Sequence, residues 1–336
     1  MNNKIVIVGL LIGFGGLLAW RPWNSSSDTL STPQEVEVRE ELQSGMPRGA
    51  LEVRFPKPVH PLPDTEAPLH LVIDELRSRS KAGEAGASCR LASELAFCAE
   101  LPARRAELDR WYLERKRAVE LISGSEARAA AEDSIDREMD FREGRVTKLA
   151  SHCEKIDVSN GSELVDLWRE AAIGGDPAAM KQYVSGSAFR MNDLLGSLRE
   201  LETYKREAER IAIVGAERGD FDLVLLLAAS HSPVQVSVRS LLAQVVEPDL
   251  SRSLALYRYA LDALQEAGHA DTNISREVEE RVRELTEAAT PDELMNAEEV
   301  LVKETGGWAS PVIRGVDSLT TSGRFREVNR AWCGRE

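Results

Sequence analysis

The chain has 336 residues, with 42 Lys and Arg against 56 Asp and Glu, and carries a formal charge of −14. That balance excludes a general nucleic-acid binder, because phosphate contacts need clustered cations. The 43% hydrophobic fraction excludes disorder of the whole chain, while aromatics at 5% favour helices built from Leu, Ala and Val over an aromatic-rich β-sandwich.

The chain opens with an uncharged run from Ile5 to Trp20, preceded by Lys4 and followed by Arg21. As a helix rising about 1.5 Å per residue it reaches roughly 24 Å, slightly short of a hydrocarbon core of roughly 30 Å. Lys4 can snorkel, and Trp20 and Trp23 fall where interfacial rings belong, so residues 1–23 read as a membrane anchor. The competing reading is a cleaved signal peptide, for which the small-x-small cleavage site is poor. Lys4 and the α-amine hold the short tail inside, which places the body outside the inner membrane, in a bacterial periplasm. Residues 24–67 form a Pro- and Ser-rich linker, from Ser25, Ser26 and Ser27 through Pro56, Pro58, Pro61 and Pro63. Such prolines deny the chain a regular ladder. The short alternating piece Leu51 to Phe55 has no partner strand and is expected to dock as part of this tether.

From residue 68 the pattern is helical. Leu69, Val72, Ile73 and Leu76 follow i, i+3, i+4, i+7 spacing, and Leu91, Leu95 and Cys98 continue it in the next segment. Residues 102–150 read as a long antiparallel helical hairpin. Leu108, Trp111, Tyr112, Val119 and Ile122 stripe its first helix, Ser123, Gly124 and Ser125 break it, and Ala131, Ile135, Met139, Val146 and Leu149 stripe its second. The acidic run Glu132, Asp133, Asp136, Glu138, Asp140 and Glu143, interleaved with Arg128, Arg137 and Arg142, is a solvated helix face with i, i+4 pairing. The fold class is all-α, with residues 68–290 as the main domain and 291–336 as a helical and irregular cap.

Three segments share one grammar: an Ala-rich helix end, a Gly turn with an acidic residue, then a second helix. They centre on Gly83, Gly175 and Gly219, and a fainter fourth centres on Gly268. Gly supplies the left-handed cap of the first helix, and Asp176 or Asp220 caps the second. The pattern resembles Sel1-like repeats, a branch of the tetratricopeptide-type helical solenoids, over residues 69–100 and 163–285, with 102–150 as an insertion. The departure is that the Leu-Gly and Tyr-x-x-Gly-x-Gly pieces of that family are missing or replaced. The plainer alternative is an irregular helical bundle with Ala-Gly-Asp turns.

The four cysteines are Cys89, Cys98, Cys153 and Cys333. Cys89 and Cys98 fall on one helix, about 13 Å apart, beyond the roughly 7 Å limit for a bridge. The two ends of the hairpin meet, which brings Cys98 to Cys153 and leaves Cys89 for Cys333 by elimination. This departs from the Sel1-like habit of bridging the two helices of one repeat. His60, His70, His152, His231 and His269 are scattered, no phosphate or nucleotide fingerprint occurs, and no catalytic, metal or cofactor site is assigned. Gly306, Gly307 and Trp308 read as a turn anchored by a packed Trp. The expected function is a non-enzymatic interaction or scaffold protein of the cell envelope, with Trp168, Tyr204, Tyr257 and Tyr259 on the first helices of units as candidates for a partner-binding face. Its partners are a protein or peptide and the inner membrane, with no nucleic acid. The alternative is a periplasmic enzyme, or a regulator of an enzyme, acting on the cell wall, which rests on family analogy.

Overall fold

In the computed structural model the chain divides into two units, Met1–Arg48 and Gly49–Glu336. Residues 53–54, 60–158, 161–234, 240–313 and 329–334 are described, all within the second unit. The anchor expected at Ile5 to Trp20 and most of the linker lie outside the described residues. Among the described residues no helix is long and apolar enough to cross a membrane.

The described residues are all-α. Their eleven α-helices are α1 Leu69–Lys81, α2 Ala85–Ala99, α3 Leu101–Glu120, α4 Ser125–His152, α5 Gly161–Ile173, α6 Pro177–Val184, α7 Leu198–Glu217, α8 Phe221–His231, α9 Leu250–Glu266, α10 Asn273–Ala288 and α11 Pro291–Thr305. Four pairs, α1–α2, α5–α6, α7–α8 and α9–α10, close through one turn geometry. Gly83, Gly175, Gly219 and Gly268 all have φ between +77° and +86°. In each turn the glycine N–H bonds back three residues and the next N–H bonds back five: Gly219 to Ala216 O at 2.9 Å and Asp220 to Gly215 O at 3.1 Å, for example. This paired bonding satisfies carbonyls that the end of a helix otherwise leaves bare. Asp176 and Asp220 then cap α6 and α8 by accepting from Ala179 N and Leu223 N, and Thr272 does the same for α10.

The pairs pack in series, α2 on α5, α6 on α7 and α8 on α9, with α11 against α9. Leu76, Leu91, Trp168, Tyr183, Tyr204, Ile211, Phe221, Leu226 and Tyr257 are fully buried along this core. The helix α8 is its most enclosed element, buried at every position but Asp222. Close approach of α7 to α8 depends on Gly215, where a Cβ would lie 2.2 Å from Leu223 Cδ1.

Helices α3 and α4 form an antiparallel arm between α2 and α5. Its register is fixed by Arg142 stacked 4.4 Å over the Trp111 ring, and by Asp136, which accepts from Tyr112 at 3.2 Å and pairs with Lys116 at 2.8 Å. Arg137–Asp133 and Arg142–Glu138 pair along α4. The arm buries only Leu108, Val119 and Leu149.

Two chain segments pack back onto the helices. Residues 308–313 return to the α7–α8 turn, with Ala309 N bonding to Glu217 O and Val312 N to Gly219 O, each at 2.9 Å. Trp308 packs edge-on against Tyr259. The tether docks too: Arg54 N bonds to Ile173 O at 2.8 Å, and Arg79 holds the His60 and Pro61 carbonyls.

The turns separate two costs of a side chain at a left-handed glycine. At Gly268 nothing lies within 4 Å of an added Cβ, whereas at Gly219 it would meet Ser310 O at 2.7 Å. Gly268→Ala is expected to destabilise by about 1–2 kcal/mol from backbone conformation alone. Gly219→Ala adds the clash and is expected to cost about twice as much, read as the shift in urea midpoint at constant slope.

Candidate functional site

Two polar constellations lie within or between the packed helices, one closed and one open. The closed one is built on Glu94, a residue of α2 only 1% exposed. Arg90, one turn earlier on α2, reaches Glu94 Oε1 at 2.6–2.7 Å. The other carboxylate oxygen, Oε2, receives Arg330 at 2.7 Å and lies 2.8 Å from His152 Nε2 at the end of α4. Burial raises the Glu94 carboxyl, but the hydrogen bonds from His152 and Arg330 and the charge of Arg90 outweigh it and hold the group below the usual carboxylate range. Phe97 roofs the cluster, with Arg330 stacked 4.1 Å over its ring and His152 meeting it edge-on.

Two disulfides flank this cluster. Cys98 pairs with Cys153 across the base of the arm, and Cys89 pairs with Cys333, each with Cα atoms 5.4 Å apart. Cys333 belongs to the C-terminal segment 329–334, which is further tied by Gly334 N donating to Asp176 Oδ2 at 2.8 Å. The backbones of Gly334 and Gly86 touch so closely that a Cβ on Gly86 would lie 2.9 Å from Gly334 Cα. Asp176 thus caps α6 and holds the C-terminal segment at once, and its burial pushes its carboxyl up to about 6.

The open constellation is a cleft of about 250 Å³ between α5 and α7, lined by Asp166, Arg169, Arg199, Glu200, Thr203, Arg206 and Glu207. Its one closed pair is Arg169 on Glu207, two parallel hydrogen bonds of 2.7 Å each. Arg206 donates to Thr203 Oγ1 at 3.3 Å. Asp166, Glu200 and Arg199 make no hydrogen bond or ion pair through their side chains among the described residues. Glu200 is 9% exposed in the first turn of α7. Burial and the charge of Glu200 push the Asp166 carboxyl up. Beside the cleft the Tyr183 hydroxyl is buried without a partner, within the electrostatic reach of Glu207, Arg169 and Asp166.

The aromatic residues expected to form a binding face do not do so. Trp168 and Tyr257 are 1% exposed and Tyr204 is 0% exposed, with Tyr204 donating to Val184 O and meeting Tyr183 edge-on. These large rings fill the space between hairpins, where burying their apolar area outweighs any use on a surface. Tyr259 is half-buried against Trp308. The residues missed by sequence reasoning are those of the cleft and the Glu94 cluster. Arg90 and Glu94 carried a readable signal, an i, i+4 ion pair interrupting the apolar face of α2. Arg330 and His152, 236 and 58 residues from Glu94, carried none.

No protein-family model matches the chain, and no curated protein or solved structure matches it.

Glu94→Leu leaves Arg90, only 3% exposed, without its counter-ion. It is expected to destabilise by about 3–5 kcal/mol, and Arg90→Met in the same chain is expected to recover most of that loss in chemical denaturation. Asp176 behaves oppositely to Glu94 with pH. Its folded pKa of about 6 lies above the ordinary value of 3.8, so the folded state holds the proton more tightly. Its contribution is therefore full below about pH 4 and is lost as pH rises through about 6. Asp176→Asn keeps a capping group. Relative to the wild type, the variant is expected to gain thermal stability between pH 4 and 6 and to change no further above it.

Proposed function

We propose that the chain is a membrane-tethered interaction protein of an extracytoplasmic compartment, built as a degenerate helical-hairpin solenoid of the Sel1-like or tetratricopeptide type, with no catalytic role of its own. The observation that carries this reading is the fourfold recurrence of one glycine turn at Gly83, Gly175, Gly219 and Gly268, each closing a helix pair that packs on a neighbouring helix pair. Arrays of this kind bury a continuous core between units and leave one face of each unit to a partner. The α5–α7 cleft, lying between the first helices of two consecutive pairs, carries charged side chains that close no ion pair among the described residues. The oxidising compartment is supported by all four cysteines being in disulfides. The tether is the role assigned to Ile5 to Trp20 and the proline-rich segment after it.

A photo-crosslinking residue placed at Thr203, inside the cleft, and separately at Glu143 on the exposed outer face of the arm tests this reading in intact envelopes. A discrete adduct formed from position 203 and absent from position 143 is the expected result. Identical adducts from both positions, or none from position 203, would count against an interaction surface at α5–α7.

A further inference from the structure

Two non-helical segments, one before the helical array and one after it, rest on the glycine turns at the same carbonyl. The paired bonds of each turn engage the carbonyls three and four residues before the glycine and pass over the one two before it. At the α5–α6 turn that carbonyl, Ile173 O, accepts from Arg54 N at 2.8 Å. At the α7–α8 turn its counterpart, Glu217 O, accepts from Ala309 N at 2.9 Å, and Gly219 O accepts from Val312 N. Val312 also runs parallel to Asp220 in a single strand-like bridge. The two donor segments share neither sequence nor place in the chain, so the recurring element is the turn itself. Recognition of this kind is read through the backbone, as when a strand is added to the edge of a sheet.

The segment on the α7–α8 turn is the lighter-held of the two that return from the C-terminal side. Residues 308–313, Trp-Ala-Ser-Pro-Val-Ile, carry no charge and no cysteine, whereas 329–334 is fixed by Cys89–Cys333 and by Arg330 on Glu94. Apart from the two backbone bonds, Trp308 meets Tyr259 edge-on and the Tyr259 hydroxyl donates to Ala309 O at 3.4 Å. Ala309 and Ser310 are exposed, and Val312 is 54% exposed. Gly306 and Gly307 join the segment to α11 and give it freedom to swing away. A strap with so few buried contacts opens at low free energy.

Resting on the interaction reading, but on a surface other than the cleft, we infer that the α7–α8 turn and Tyr259 form a docking seat for an extended peptide strand of a partner. Residues 308–313 are its resident occupant in cis, and they specify the chemistry of the partner. An aromatic residue meets Tyr259, the next N–H reaches Glu217 O, and the N–H three residues further reaches Gly219 O. Between the donors stands Pro311, which has no N–H to lose and holds the chain extended. The fitting segment is therefore uncharged, with an aromatic residue, two small ones, a proline and a β-branched residue in that order. A partner's strand binds only while the resident one is away, so its apparent affinity is lowered by the fraction of time the seat is filled.

Fluorescence anisotropy on the full-length chain, with a dye-labelled, end-capped Trp-Ala-Ser-Pro-Val-Ile peptide, tests the inference. Val312→Pro removes one donor of the resident strap, and Trp308→Ala removes its ring from Tyr259. Each variant is expected to bind the peptide at least about tenfold more tightly than the wild type, because the seat is vacated more often. N-methylation of the peptide at its alanine or valine nitrogen is expected to abolish that binding, while N-methylation at its serine leaves it intact. Absence of binding to a variant shown by thermal melting to be folded overturns the inference. So does equal binding by wild type and variants, or an equal effect of methylation at all three nitrogens. A discrete adduct from position 203 with no peptide binding retains the interaction reading and rejects this seat, so the two failures are distinguishable.

Discussion

The structure turns on one buried carboxylate. Glu94, 1% exposed, could not remain ionised inside α2 without several partners, and the partners come from three distant parts of the chain: Arg90 on the same helix, His152 at the end of the arm and Arg330 near the C-terminus. Removing a charge from water costs several kcal/mol, and only multiple well-placed donors offset it. That requirement makes the cluster a positional lock. The arm can leave α2, or the terminal segment can detach, only by stripping donors from a group that has no access to solvent. The two disulfides stand on either side of the same carboxylate and fix covalently what it fixes electrostatically.

The lock also explains why the inserted arm does not disturb the packing around it. A hairpin that buries only three apolar side chains along its length gives little adhesion of its own. Held at its base by Cys98–Cys153 and by His152, it leaves α2 free to pack on α5 as though the chain ran directly from one to the other. The first helix pair thus stays within the series, and the core continues from Leu76 and Leu91 to Trp168 and Tyr183.

The helical pattern, the arm and the turn glycines were legible because each is a local matter: apolar spacing, a Ser-Gly-Ser break, a left-handed residue between two helices. Both cysteine pairs were legible for a related reason, since an out-and-back hairpin joins its own ends and leaves the remaining two. The aromatic face was misread because Trp168, Tyr204 and Tyr257 lie on first helices in sequence, yet side-chain direction within a pair depends on which neighbour packs where. The Glu94 cluster and the cleft were hidden for the same physical reason. Arg330 meets Glu94, and Asp166 meets Glu200, only through tertiary packing, and spacing along the chain carries no trace of either.

The cleft is best judged against the other junctions between helix pairs. Lys181 of α6 is closed by Asp220 and Asp222 at the start of α8. Arg252 of α9 is closed by Glu209 of α7 and Glu304 of α11, with His231 of α8 beside them. In both places one cation stands between two carboxylates from adjoining elements, so each cation is closed within the protein. The α5–α7 junction begins in the same way, with Arg169 on Glu207, and then holds Asp166 and Glu200 beside Arg199 and Arg206, charges in equal number that close no further ion pair among the described residues. That open arrangement of charge, with cations and carboxylates side by side but apart, separates the cleft from the structural charge clusters that otherwise resemble it.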